Sequence, residues 1–158
     1  HDMGKIAVPD AVLKKPGRLT PEEYTIIKQH CYSGGQICKR VGFLMDAYPI
    51  VYHHHERWDG KGYPDGIKGD RIPLGARIVA VIDAYDAITT DRPYRDAMPL
   101  EEAISILRDG SGHQWDPRVV RTLLESINLA PRDHDHGDKP DAGEHGLIDT
   151  VQRIIESR

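Results

Sequence analysis

The segment from Leu74 to about Thr90 restricts most strongly how this chain can fold. Its periodicity predicts a helix with apolar side chains on almost every side, namely Ile78, Val79, Val81, Ile82, Tyr85 and Ile88. Such a helix is normally buried, so we expect it at the centre of the molecule. It nevertheless carries Asp83 and Asp86, and an unpaired buried carboxylate is very costly unless a cation accompanies it. Asp86 is either a residue that orients a ligand of that cation or a surface charge, and the surface charge is the preferred interpretation.

The remaining periodicity is also helical and predicts an all-α domain. Thr20-Pro21-Glu22-Glu23 forms a capping box with proline at the first helical position. The helix that follows has an inward stripe of Ile27, Cys31, Gly34, Cys38 and Val41, with His30 at its border. Gly34-Gly35 indicates either a bend or the close approach of a neighbouring element.

Further helices are predicted along the rest of the chain. One runs from about Phe43 to Glu56, with Pro49 as a kink or restart, and a Gly-rich loop from Asp59 to Pro73 follows it. Two more are predicted at 99–108 and 117–128. We expect one domain over 1–130, a polar linker over 131–145 and a C-terminal helix over 146–158.

Length, charge and cysteine content exclude several classes of protein. The chain has 158 residues, which suits one domain, and its longest apolar run is far shorter than a membrane span. A net charge of -4 argues against a large basic face for duplex nucleic acid. Cys31 and Cys38 are interpreted as buried thiols in a reducing compartment. The chain opens on His1-Asp2 without an initiator methionine, so we expect it to be part of a longer protein.

Histidine is the unusual component, with nine residues in the chain. Together with two aspartates, four of them form a candidate ligand set: His1, Asp2, His30, His54, His55 and Asp83. Divalent cations such as Mn²⁺ or Fe²⁺ accept mixed imidazole and carboxylate ligands, and two such ions need a bridging carboxylate. Neighbouring helix positions are about 100° apart, so His54 and His55 can reach one cavity, whereas His53 faces away. Singly, each of these residues has an ordinary structural explanation.

Two other groups of residues are ambiguous when taken alone. Gly62-Tyr63-Pro64 is most simply a turn. Lys5, Arg92 and Arg95 are most simply surface charges, although such side chains near a metal site suit phosphate oxygens.

Four segments in order change this assessment. They are HDMGK at 1–5, GRLTPEEYTIIKQH at 17–30, HHERWDGKGYPDG at 54–66 and ARIVAVIDAYDAITTDRPYR at 76–95. Over residues 1 to about 128 the chain thereby resembles the HD-GYP domains, a branch of the HD metal-dependent phosphohydrolases. The resemblance implies an HD-domain helical bundle whose upstream helices, absent before His1, carry further ligands.

The resemblance also implies an activity and roles for particular residues. Family members hydrolyse the bacterial second messenger cyclic di-GMP at two or three metal ions, commonly iron or manganese. Two ions are expected here, and the product is linear pGpG, with GMP as a further product left open. Asp2 would bridge the ions, and a hydroxide between them would attack phosphorus. The implied ligands are His1, Asp2, His30, His54, His55 and Asp83, while Lys5, Arg92, Arg95 and Tyr63 would contact the substrate.

The resemblance finally implies a cellular setting. The Gly62-Tyr63-Pro64 loop would contact partners such as diguanylate cyclase-type proteins. A receiver or sensor domain would precede the chain, and the protein would be cytoplasmic in a bacterium. Two alternatives stay open: a non-catalytic module that senses cyclic di-GMP or docks a partner, and a phosphohydrolase acting on another nucleotide, which should lack the GYP and DRPYR segments.

Overall fold

The computed structural model describes residues 1–91 and 96–129. In these residues the helices are α1 (Asp10–Leu13), α2 (Pro21–Arg40), α3 (Tyr48–His53), α4 (Leu74–Thr89), α5 (Leu100–Gly110) and α6 (Pro117–Leu129). Additional 3-10 helices cover Asp2–Ala7, Gly42–Ala47 and Gly69–Arg71. The described part of the chain contains no β-strand beyond one isolated bridge, which confirms the all-α prediction. The predicted linker and C-terminal helix lie outside the described residues.

Helix α2 begins where the sequence predicts. The Thr20 side chain accepts a hydrogen bond from the Glu23 amide at 3.3 Å, and the Glu23 carboxylate accepts one from the Thr20 amide at 2.7 Å. Pro21 occupies the first helical position, where its missing N–H has no helical partner to lose. The predicted inward stripe is buried as far as Cys38 and ends at the half-buried C-cap, Val41.

The Gly34-Gly35 pair permits close approach, and α2 continues through it. A Cβ on Gly34 would lie 2.7 Å from Val51 Cγ1 of α3 and 3.3 Å from the Gly4 amide nitrogen. On the other side of this contact, a Cβ on Gly4 would lie 1.9 Å from the His30 carbonyl oxygen. Glycine at these positions therefore lets α3 and the N-terminal 3-10 helix lie directly against the backbone of α2.

The restart predicted at Pro49 is confirmed, but the predicted bounds from Phe43 to Glu56 are wrong. A 3-10 helix ends at Ala47, and α3 then runs only from Tyr48 to His53. Pro49, which has no backbone N–H to donate, lies in the first turn of α3, so the restart falls where a proline is tolerated. His54 caps this helix with a helical backbone conformation, and His55 lies beyond it.

The central position predicted for α4 is correct for one side of the helix. Val81, Ala84 and Ile88 are completely buried, and they pack with residues of α5 and α6 and with Trp115. The adjacent side is more open, since Leu74, Ile78 and Ile82 are 57%, 42% and 45% exposed. Asp83 is buried, whereas Asp86 is exposed as predicted. Among the described residues, no helix is long and apolar enough to cross a membrane.

Candidate metal centre

The fold brings six predicted ligand residues together from four elements. His1 and Asp2 lie at the start of the N-terminal 3-10 helix, and His30 lies in α2. His54 and His55 follow the end of α3, and Asp83 lies on α4. The glycine contact between Gly4 and α2 carries the first pair towards the histidines. Contacts between neighbouring members then connect all six side chains.

His30 and His54 are oriented by identical hydrogen bonds. His30 Nδ1 lies 2.7 Å from the Ile27 carbonyl oxygen, and His54 Nδ1 lies 2.8 Å from the Val51 carbonyl oxygen. A carbonyl oxygen only accepts, so each Nδ1 must carry the donated hydrogen. When the imidazoles are neutral, each Nε2 therefore presents a lone pair, as it does in many metal-ligating histidines.

The two Nε2 atoms are 3.3 Å apart. Two unprotonated nitrogens cannot hydrogen-bond to one another, because neither has a hydrogen to donate. A divalent cation close to both atoms satisfies both lone pairs at once. This separation is the clearest structural sign of a metal centre in the described residues.

Burial keeps these histidines neutral. It lowers the pKa of His30, and together with the neighbouring imidazoles it lowers the pKa of His54 to about 4. The pKa of His55 lies well below its ordinary value for the same two reasons. Because a metal ion competes with protons for the imidazole nitrogen, these lowered pKa values favour metal binding at neutral pH.

The carboxylate of Asp2 faces two groups of side chains. Its Oδ1 atom lies 3.7 Å from His30 Nε2 and 3.9 Å from His54 Nε2. Its Oδ2 atom accepts a hydrogen bond from Lys5 Nζ at 3.2 Å and lies 3.6 Å from His1 Nε2. His1 Nε2 is in turn 3.3 Å from Asp83 Oδ1. With one oxygen towards each group, Asp2 is placed as a bridging carboxylate requires.

His55 forms a wall of the centre and connects it to the following loop. Its ring centroid is 4.2 Å from that of His54 and 4.9 Å from that of Tyr63, whose plane is tilted by 30°. The Tyr63 amide donates a hydrogen bond to the His55 carbonyl oxygen at 3.2 Å. Gly62 permits this close return of the chain, because a Cβ there would lie 2.3 Å from the Arg57 nitrogen. The Gly62-Tyr63-Pro64 segment thus lies beside the centre.

Two residues near the centre have contacts that the sequence did not reveal. The completely buried Glu56 side chain accepts hydrogen bonds through Oε1 from the amides of Asp65 and Gly66, at 2.7 and 3.0 Å. It therefore holds the loop from beneath. Cys31 was interpreted only as a buried thiol, yet its Sγ atom is 3.6 Å from His30 Nε2. The only signal for this contact was adjacency to His30, and burial raises the pKa of the thiol, which disfavours the thiolate.

Of the three basic residues predicted to contact the substrate, one lies among the described residues. Lys5 lies at the centre with its side chain largely buried. Arg92 and Arg95 fall outside the described residues. A set of imidazoles and carboxylates fits divalent metal ions. The facing Nε2 atoms of His30 and His54 show that fit in this structure.

Comparison with known proteins points in the same direction. A sequence model of the family described as "HD domain" matches residues 1–119. A cyclic di-GMP phosphodiesterase of Thermotoga maritima is 47% identical over 79% of this chain and 34% of its own length. The cyclic di-GMP phosphodiesterase response regulator RpfG of Xanthomonas campestris is 47% identical over 78% of this chain and 33% of its own.

A more distant relative has a different named substrate. The 3'3'-cGAMP-specific phosphodiesterase 2 of Vibrio cholerae is 39% identical over 79% of this chain and 24% of its own length. The chain therefore spans about a quarter to a third of the curated relatives it matches. Domains of the HD family bind divalent metal ions, in agreement with the donor set described above.

Proposed function

Because the chain belongs to the HD domain family and carries the loop of its HD-GYP branch, we propose that it hydrolyses cyclic di-GMP to linear pGpG in a metal-dependent reaction. The observation that carries this proposal is the pair of facing Nε2 atoms of His30 and His54, with an Asp2 oxygen beside them. The curated names of the relatives supply the substrate class.

The proposed ligand set is His1, Asp2, His30, His54, His55 and Asp83, holding two ions of iron or manganese. These ions supply Lewis acidity, which activates water and stabilises charge on a phosphoryl group. Asp2 lies between the two histidine groups and serves as the shared ligand. The Nδ1 hydrogen bonds of His30 and His54 hold their rings in place, so little reorganisation is needed when the ions bind.

Lys5 provides the electrostatic contribution of this chain to phosphate binding. Its ammonium group lies 3.2 Å from Asp2 Oδ2 with the side chain only 14% exposed. At this position it neutralises a non-bridging phosphate oxygen. The electrostatic attraction between the two groups is stronger in a partly desolvated site than in water. Arg92 and Arg95 are proposed as further phosphate contacts, and proton transfer is assigned to none of the three.

The loop beside the centre is proposed to contact both ligand and partners. The Tyr63 ring lies against His55, so it forms a wall of the substrate pocket. Gly62 shapes that wall, while Pro64 is exposed and available to a protein such as a diguanylate cyclase. A receiver or sensor domain in the same polypeptide is also part of the proposal, and the likeness to a response regulator supports it. The two buried free thiols, Cys31 and Cys38, favour the bacterial cytoplasm as the location.

The experiment is product analysis of cyclic di-GMP incubated with anaerobically Fe²⁺- or Mn²⁺-loaded protein. The variants are His54→Ala and, as a matched control, His113→Ala, which alters an exposed histidine on the turn after α5. We expect pGpG from the wild type and from His113→Ala, and none from His54→Ala. Bound ligand without product from the wild type would contradict hydrolysis and support the sensor module.

Parallel reactions with 3'3'-cGAMP address the second candidate substrate, which the Vibrio cholerae relative favours. Our proposal predicts the higher kcat/KM for cyclic di-GMP. The opposite ratio would reassign the substrate while leaving the metal chemistry in place.

A further inference from the structure

A second cluster of ligand-type atoms lies beneath the loop. It comprises His53, Glu56 and Asp65, which each offer one such atom, all within 4.8 Å of one another. His53 closes α3, Glu56 follows the two histidines of the centre, and Asp65 comes directly after Gly62-Tyr63-Pro64. None of the three belongs to the ligand set proposed above.

The cluster contains buried polar atoms without partners. Within the described residues, His53 Nδ1 and Glu56 Oε2 are both inaccessible to water and make no hydrogen bond. The Glu56 side chain is 0% exposed, and the hydrogen bonds that it accepts from the Asp65 and Gly66 amides go to Oε1. An unsatisfied buried carboxylate oxygen is costly unless a cation or a proton accompanies it.

Separations within the cluster suit ligands of one ion better than direct hydrogen bonds. His53 Nδ1 lies 3.8 Å from Glu56 Oε1 and 3.9 Å from Asp65 Oδ2. Both distances exceed the hydrogen-bonding range. Metal–ligand bonds of about 2.1 Å place neighbouring tetrahedral ligand atoms about 3.4 Å apart, so each of the two pairs that include His53 would contract by about half an ångström.

The surroundings of Asp65 provide a route for an ion. Its side chain is 47% exposed, whereas that of His53 is 14% exposed. The Tyr52 hydroxyl donates to Asp65 Oδ1 at 3.3 Å, which turns the other carboxylate oxygen towards His53. The cluster is therefore closed on the Glu56 side and open on the Asp65 side.

We propose that His53, Glu56 and Asp65 form a divalent metal site that is separate from the catalytic centre and fastens the loop to the end of α3. One imidazole nitrogen and two carboxylates, with water in the remaining position, form a donor set suited to Zn²⁺. An ion there connects residues 53 and 65 and thereby restrains the segment that carries Tyr63. The site does not depend on the substrate or on catalysis.

The test is the zinc content of metal-free protein after equilibrium dialysis against Zn²⁺, measured by mass spectrometry. Asp65→Asn and His53→Ala each remove one proposed ligand, and Asp109→Asn removes an exposed carboxylate on α5 as the matched control. We expect the first two variants to bind one equivalent less than the wild type, or to bind it at least tenfold more weakly. Asp109→Asn should equal the wild type, and His54→Ala should retain this equivalent while it loses zinc at the centre.

Unchanged zinc content in Asp65→Asn would overturn the proposal and leave the cluster with a proton or water only. Since Asp65 is half exposed, this variant decides the question even if His53→Ala does not fold. A second measurement addresses the fastening itself. Zn²⁺ should slow amide hydrogen exchange over residues 62–67 in the wild type and leave it unchanged in Asp65→Asn. Zinc binding without slower exchange in the wild type would refute the fastening role.

Discussion

Gly4→Ala provides a direct test of how the centre is assembled. An added Cβ would lie 1.9 Å from the His30 carbonyl oxygen and 2.5 Å from the Gly34 nitrogen, whereas ordinary contact begins at 3.4 Å. Both neighbours are backbone atoms of α2, which cannot rotate away as a side chain would. The N-terminal 3-10 helix must therefore withdraw by about 1.5 Å. Overpacking of this kind costs 1–3 kcal/mol in general, and we expect a loss of about 3 kcal/mol in unfolding free energy.

The same displacement should weaken metal binding. Asp2 Oδ1 is 3.7 Å from His30 Nε2, and a metal site tolerates only a few tenths of an ångström in its ligand positions. We expect the affinity for Mn²⁺ to fall at least tenfold, or about 1.4 kcal/mol, as measured by titration calorimetry. Guanidinium denaturation of the metal-free protein gives the stability.

The matched control is Gly42→Ala. Gly42 has no neighbouring atom within 4 Å of an added Cβ, so this variant should stay within about 0.5 kcal/mol of the wild type. If Gly4→Ala matched Gly42→Ala in both stability and metal affinity, the close approach of the two backbones would not be what positions Asp2.

Three further predictions concern other parts of the molecule. Asp116→Asn should lower the unfolding free energy by about 3 kcal/mol, because the buried carboxylate accepts hydrogen bonds from two arginines. Asp70 is exposed, so Asp70→Asn should lower it by at most about 1 kcal/mol. Burial acts to raise the pKa of Asp116, but hydrogen bonds from those arginines bring it below 3.8. The difference in unfolding free energy between the wild type and Asp116→Asn should therefore shrink as the pH falls below that value. A difference that stays constant in acid titrations would contradict this. Glu56→Ala should speed deuterium exchange of the two loop amides at least tenfold, and unchanged exchange would show that other contacts hold the loop. Neither Cys31 nor Cys38 should react with a thiol reagent until the protein unfolds, since both are completely buried; labelling of the native protein would refute that.

The sequence predicts the elements whose signals are local. The capping box at Thr20 and the proline after it define the start of α2, because both act within four residues. The convergence of His54 and His55 was also predicted, although from a helix that in fact ends at His53. His54 keeps helical backbone angles at the C-cap, so the angular argument extends to it even though the regular hydrogen bonding has stopped.

Contacts that join distant segments were less accessible from sequence. Apolar spacing on α4 shows which residues are hydrophobic but not which neighbours cover them, so the exposure of Ile78 and Ile82 was not anticipated. Glu56 was visible as part of the HHE motif, yet its hydrogen bonds reach nine and ten residues ahead. Only the folded loop brings those amides to its carboxylate.

The backbone that follows His54 and His55 is held by residues that lie more than fifty positions later in the chain. The amides of Trp58 and Asp59 donate to the carbonyl oxygens of Gln114 and His113, at 3.0 and 2.8 Å. All six proposed ligands, by contrast, lie at or before Asp83. During synthesis on the ribosome, a nascent chain can therefore present every ligand side chain while this loop still lacks its acceptors. We expect the backbone beside the centre to reach its final shape only after the turn between α5 and α6 has emerged.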